Sequence, residues 1–239
     1  MTWLRSLLFV GLSVLMMVMA GIAGLPLLLV SRPTAARLAR WFSGLQIRLL
    51  RVMVGLELDV IGLENLPREP VLIAVKHQSA LETHALVALL RNASFVIKRE
   101  IVQVPIVGWV IASLGVIAID RSGGASALKS MLRSAREEVA AGRHVVIFPE
   151  GTRVPPGESA PYHTGVAMLY GDLGIPVVPV ALNTGVFWAK KRLIKKPGRA
   201  VIAFLPPIEP GLPRREFMET LSERIESESN RLVEAAEQA

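Results

Sequence analysis

The chain has 239 residues, 51% of them hydrophobic and none of them cysteine, which is enough for one well-packed core and excludes a disulfide framework, a thiolate nucleophile and cysteine-rich zinc sites. Mean hydropathy is +0.45, high for a soluble protein, and the net charge of +7 is uneven: from Glu209 onward eight glutamates face four arginines, a net of −4, so residues 1–208 carry +11. A basic body on an apolar chain calls for an anionic partner, and with aromatics at only 5% there are few platforms for base stacking, so a membrane is expected and nucleic acid is not.

Ser6 to Ser31 is an uncharged run of 26 residues. At ~1.5 Å per residue it is about 39 Å long as a helix, enough to cross a bilayer, with Pro26 interrupting it near its end. Three readings fit: a span, a helix sunk part way into one leaflet, and a signal peptide cleaved near Gly21-Ile22-Ala23. The signal peptide ranks last, because the basic n-region is a single arginine and a further membrane-seeking segment follows at once. That segment, Thr34 to Val54, places Arg37, Arg40, Arg48 and Arg51 in one arc of a helical wheel and Leu38, Trp41, Leu45 and Leu49 in another. It reads as a basic amphipathic helix lying in an interface, with a core helix bearing a solvated arginine face as the plain alternative. The arginine excess after the first run puts the rest of the chain on the cytoplasmic side. Residues 1–54 are thus expected to be a membrane-associated helical segment, and 55–239 a separate domain.

From Glu57 short β runs alternate with helices. Strands are expected at Leu56 to Ile61, Val71 to Val75, Ser94 to Ile97, Val116 to Ile119, His144 to Phe148, Val177 to Ala181 and Ala200 to Phe204. Helices are expected at Leu81 to Leu90, Val107 to Leu114, Ala125 to Ala141, Gly165 to Gly171 and, acidic, Arg214 to Ala239. Continuous apolar strands alternating with helices predict an α/β fold with a mostly parallel central sheet flanked by helices.

Charged groups collect where strands end. His77 follows the Val71 to Val75 strand, and in open α/β sheets ligands bind beyond the carboxyl ends of strands. His77 and Glu82 can meet only if the histidine precedes a helix and the carboxylate lies in its first turn, which Ser79 as N-cap allows. Glu82 would then orient the imidazole as a base. Ser79-x-x-Glu82 is equally a capping box, with Glu82 reaching back to the cap amide. His84 adds little, and a metal site from His77, Glu82 and His84 has a spacing unlike established zinc motifs. After the His144 to Phe148 strand comes Phe148-Pro149-Glu150-Gly151-Thr152-Arg153, where a glycine turn lets backbone amides, the Thr152 hydroxyl and Arg153 converge on an anion. Lys98 and Arg121 end two further strands. In a parallel sheet these exits share one edge, so a base would stand beside a phosphate-binding patch. A second basic cluster, Lys190, Lys191, Arg192, Lys195 and Lys196 beside Trp188, offers another site of membrane attachment.

The order Lys76-His77-x-x-x-x-Glu82, Lys98-Arg99-Glu100 with Pro105 and Gly108, Ile119-Asp120-Arg121, Phe148-Pro149-Glu150-Gly151-Thr152-Arg153 and Val177-Val178-Pro179-Val180 resembles the 1-acylglycerol-3-phosphate (lysophosphatidic acid) acyltransferase family in all four of its blocks, over about Val60 to Pro207. The resemblance implies that His77 and Glu82 act as base and orienting acid, Glu82 standing where the commoner residue is Asp. It further implies that Lys98, Arg121, Glu150, Gly151, Thr152 and Arg153 bind the glycerol phosphate. It points to a bacterial inner membrane enzyme with its catalytic domain on the cytoplasmic face. The expected partners are acyl-CoA or acyl-carrier protein, lysophosphatidate and the lipid bilayer; neither a cofactor nor a metal is expected. Acyl transfer is expected to be direct, without an acyl-enzyme. A different acceptor, such as a lyso-ornithine lipid, another lysophospholipid or glycerol-3-phosphate itself, and a non-catalytic lipid-binding role are the alternatives.

Overall fold

The structure is a computed structural model that describes residues 2–24, 32–104, 107–120 and 123–238. Seven strands form one sheet: β1 (Leu56–Ile61), β2 (Leu72–Val75), β3 (Ala93–Lys98), β4 (Ile117–Ile119), β5 (His144–Ile147), β6 (Val177–Leu182) and β7 (Gly198–Phe204). Their spatial order is β1-β7-β6-β2-β5-β3-β4. Every pairing is parallel except β6 with β7. The exits of β2, β3, β4 and β5 therefore lie on one edge, as the sequence led one to expect.

Period-two alternation in the central strands feeds two apolar layers. Leu72 and Ala74 of β2 and Val145 and Ile147 of β5 face one side. There they pack on Met131 and Ala135 of α6 (Gly124–Ala140), Val166 and Leu169 of α7 (Gly165–Leu173), and Phe217, Leu221 and Ile225 of α9 (Arg214–Glu237). Ile73 and Val75 with Val146 face the other side, against Ala85 and Leu86 of α3 (Leu81–Leu89). Both faces are covered, so a four-residue strand such as β2 can be apolar at every position.

The N-terminal helices lie on this domain. α1 (Thr2–Gly24) is long and apolar enough to cross a membrane, and most of it is exposed. α2 (Arg32–Leu49) ends in a π turn, Leu50–Val54, closed by Gly55 in the left-handed region at φ 79°. Ala35, Ser43 and Gln46 of α2 and Leu50 of the turn are buried, while Trp41 is 65% exposed and Leu38 is exposed beside it. The helix thus has three faces: one packed against α3, one exposed and apolar, and one lined by arginines. Its start is clamped to the domain by Arg32. The guanidinium donates to the Leu114 and Gly115 carbonyls, both at 2.9 Å, and pairs with Glu138 of α6 at 2.6 Å. Burial pushes the Glu138 carboxyl up, but hydrogen bonds from Arg32, Arg143 and Ser94 outweigh it and hold its pKa at about 2.

Candidate active site

β2 ends at Val75, and its ladder continues one residue further because the Lys76 amide donates to the Val180 carbonyl at 2.9 Å. This fixes the backbone from which His77 projects. The chain then turns into α3, whose second residue is Glu82, so the histidine precedes the helix and the carboxylate sits in its first turn. His77 Nδ1 lies 2.8 Å from Glu82 Oε1. The same oxygen accepts the amides of Gln78 at 2.9 Å and Ser79 at 2.6 Å, and the Ser79 hydroxyl accepts the Leu81 amide at 3.1 Å. The capping arrangement and the histidine pairing therefore do not compete: one oxygen serves both. The other oxygen, Oε2, accepts the Thr184 hydroxyl at 2.7 Å. The Glu82 carboxylate is fully enclosed, and with it as acceptor Nδ1 carries the imidazole proton, leaving Nε2 basic. The ring stacks on Phe148, centroids 4.2 Å apart, and remains partly exposed to a cavity of about 640 Å³.

That cavity lies along the sheet edge. Its polar wall brings together His77, Lys98, Gly151, Thr152 and Arg153. Its apolar wall, formed by Val96, Ile119, Leu128, Met131 and Ile147, runs inward between the sheet and α6. Lys98 is the last residue of β3, and Thr152 and Arg153 follow β5. Gly151 stands at φ 64°, where other residues are strained, and its amide closes the turn on the Phe148 carbonyl at 2.9 Å. Arg121 lies outside the described residues, as does Pro105.

Glu150, expected at the substrate, is not in the cavity wall. Its carboxylate is buried behind the site, with Oε1 on Lys76 Nζ at 2.7 Å and Oε2 on the His77 amide at 2.9 Å. Burial pushes its carboxyl pKa up, against the opposing pull of Lys76. Lys76 Nζ also pairs with Glu226 of α9 at 2.8 Å, and Glu226 in turn accepts the Tyr162 hydroxyl at 2.8 Å. Burial, together with the Glu226 charge, keeps Tyr162 protonated. Glu150 therefore holds the His77 backbone and the Lys76 ammonium, and Lys76 links it to Glu226 of α9.

Sequence reading missed Thr184 and His163, and placed Lys190 only in the second basic cluster, not at the cavity. Thr184 opens α8 (Thr184–Phe187), more than a hundred residues from Glu82, and no local pattern marks it. Lys190 lines the cavity and donates to Thr152 Oγ1 and the Arg153 carbonyl, both at 3.2 Å. His163 also lines the cavity, its amide held by the Pro149 carbonyl at 2.8 Å. His84 turns toward α2 instead, with Nδ1 3.4 Å from the Ser43 hydroxyl, and burial lowers its pKa. Among the described residues no group of three or more His, Asp or Glu is placed to hold a metal ion.

The model of the acyltransferase family matches residues 57–183, more than half of the chain. A 1-acyl-sn-glycerol-3-phosphate acyltransferase of Pseudomonas aeruginosa is 42% identical over 158 residues, covering 66% of this chain and 62% of that protein. The enzyme of the same name from Saccharomyces cerevisiae is 29% identical over 72% of this chain and 58% of its own length. The chain thus spans less than two thirds of these curated relatives. The crystal structure of the 1-acyl-sn-glycerophosphate (LPA) acyltransferase from Thermotoga maritima superposes with a TM-score of 0.77, covering 97% of this chain and 95% of that one at 23% identity, and so shares its fold.

Proposed function

This chain belongs to the acyltransferase family, and on that premise we propose that it moves a fatty acyl group from acyl-CoA or acyl-carrier protein to the sn-2 hydroxyl of 1-acylglycerol-3-phosphate, yielding phosphatidate. One observation carries the reading: an imidazole oriented by a buried carboxylate opens on a cavity that is cationic on one wall and apolar on the other. His77 Nε2 takes the proton of the acceptor hydroxyl, and the oxygen attacks the thioester carbonyl. Glu82 offsets the positive charge that develops on the ring. When the tetrahedral intermediate collapses, the C–S bond breaks, and His77 returns the proton to the departing thiolate. Lys98 and Arg153 hold the acceptor phosphate, Arg153 by virtue of its planar fork. The apolar wall toward Met131 accommodates an acyl chain.

The relatives named for this activity support the acceptor, and the cation count at the rim supports a phosphorylated one. For the membrane, α1 lying along one leaflet on the cytoplasmic face is the reading favoured here. α1 is fastened to the domain along its side: Ser6 bonds to Lys195, Ser13 donates to Gln46 at 2.8 Å, and α1 packs on α5 (Val107–Ser113). A helix held sideways cannot cross the bilayer without drawing the charged domain into hydrocarbon. The test is to offer purified protein lysophosphatidate with labelled acyl-CoA or acyl-carrier protein and to identify the products. Phosphatidate formation that vanishes in His77→Ala is expected; no product from either donor overturns the reading.

A further inference from the structure

Lys190 to Lys196, between α8 and β7, sets five cations around an apolar pair, Leu193 and Ile194. Lys195, counted from sequence among the cations available to a membrane, is buried. Its ammonium donates to the carbonyls of Arg192 at 3.1 Å and Leu193 at 2.9 Å, and lies 5.1 Å from the Trp188 ring centroid. A lysine folded inward closes the turn on itself and turns its apolar pair out: Leu193 is 60% and Ile194 53% exposed, flanked by the exposed Lys191, Arg192 and Lys196.

The loop is fastened at both sides. The Ser6 hydroxyl of α1 donates to the Lys195 carbonyl at 3.2 Å and accepts its amide at 3.0 Å, and Phe9 meets Trp188 edge-on at 5.6 Å. On the other side Lys190 reaches the Thr152–Arg153 turn at the cavity rim. One loop thus joins the first turns of α1, with their exposed Trp3, Leu4 and Leu7, to the mouth of the cavity. Apolar tips ringed by cations and continuous with an exposed apolar helix match the headgroup layer of an anionic membrane, where the tips enter the acyl boundary and the cations meet phosphates. We propose that residues 190–196 form a second membrane-contact element that seats Leu193 and Ile194 among anionic phospholipid headgroups and holds the cavity mouth at the bilayer surface. The membrane contact stands independently of acyl transfer; its value for delivering a lysolipid acceptor rests on that reading. An acidic carrier protein would meet the same cations, but it has no need of an apolar pair continuous with α1.

The chain has no cysteine, so Leu193→Cys in the full-length protein gives a single site for an environment-sensitive dye. The dye should shift to the blue on phosphatidylcholine vesicles containing phosphatidylglycerol, whereas a label at Glu223→Cys on the exposed side of α9 should not. In Arg192→Glu/Lys196→Glu, partition onto the anionic vesicles should fall by roughly 25-fold or more, from about fivefold per basic residue removed. Binding to pure phosphatidylcholine should stay as in the wild type. No blue shift at position 193, or unchanged partition of the double variant, overturns the proposal. So does a double variant that binds vesicles normally and loses rate only with acyl-carrier protein, since the loop would then be a protein-docking surface. Turnover in detergent micelles, where no bilayer is needed, separates these outcomes from a failure of the acyl-transfer reading.

Discussion

Glu82→Gln separates the two tasks that one oxygen performs. The glutamine carbonyl oxygen can still accept the Gln78 and Ser79 amides, now bonded at 2.9 and 2.6 Å, and its amide nitrogen can donate to the Thr184 hydroxyl, so the start of α3 keeps its geometry. What disappears is the negative charge 2.8 Å from His77 Nδ1. A carboxylate and an imidazolium with charge centres ~4 Å apart attract by about 4 kcal/mol at an effective dielectric near 20. At about 1.4 kcal/mol per tenfold in rate, that is roughly a thousandfold in kcat. The weakened cap bonds cost ~1 kcal/mol, or about 2–4 °C in Tm for a chain of this size. The assay is kcat and KM with lysophosphatidate and acyl-CoA in mixed micelles, beside a thermal melt. We expect kcat down by about three orders, KM within a few-fold because the charge acts on the transition state, and a small Tm shift. Glu82→Asp, which restores the carboxylate on a shorter stem, should keep substantial activity. Unchanged turnover in Glu82→Gln removes Glu82 from the chemistry; a rate loss that tracks unfolding makes it a cap alone.

His77→Ala should leave the melt unchanged and lower turnover by roughly 10²–10⁴-fold or more, the usual weight of a general base, and a folded variant with near wild-type rate refutes the mechanism. Arg153→Ala should cost phosphorylated acceptors about 1.5–3 kcal/mol in kcat/KM while sparing acceptors without phosphate, whereas equal losses on both mark the residue as structural. Thr184→Val keeps the shape of Thr184 and removes the hydroxyl bonded to Glu82 Oε2, so kcat should fall while KM holds, and Thr184→Ser should restore it; a serine variant as slow as valine rejects the hydroxyl as the cause. Because Glu138 is held down at about 2 in the fold against an ordinary 4.5, the stability contributed by its Arg32 bond is present above pH 4.5 and lost as pH falls through about 2. Denaturant melts should therefore show the deficit of Arg32→Gln shrinking across that window, and a deficit unchanged at pH 2 would mean that the pair contributes nothing.

What the sequence made legible was local. Each central strand declared itself by an unbroken apolar run, because a strand covered on both faces has no reason to alternate, and β2, β5 and β6 are buried throughout or nearly so. The His77–Glu82 pairing was legible because five residues and a helix start fix its geometry. Thr184 was not, since its meeting with Glu82 depends on β6 lying next to β2, a pairing set by the whole sheet. Glu150, which the family resemblance put with the phosphate-binding residues, and Lys195, counted in a basic cluster, both turn out to be buried. A charged residue beside a motif or in a basic cluster reads as exposed, yet each finds partners that let it be buried: Lys76 and the His77 amide for one, two carbonyls and a tryptophan face for the other.

The burial of Lys76 shows why the site extends past the stretch matched by the acyltransferase family. Lys76 immediately precedes His77 and is 1% exposed, and a buried ammonium without partners is strongly unfavourable. Glu150 supplies one negative charge at 2.7 Å, while its other oxygen is taken by the His77 amide. The second charge comes from Glu226 on α9, beyond residue 183, oriented by Tyr162 from the loop after the Phe148–Arg153 motif. Carboxylates from two segments distant in sequence, the turn after β5 and α9, thus converge on one ammonium. Glu150 holds the His77 amide with its other oxygen, so the position of His77 is tied through Lys76 and Glu150 to the docking of the C-terminal helix as well as to the strand that carries it.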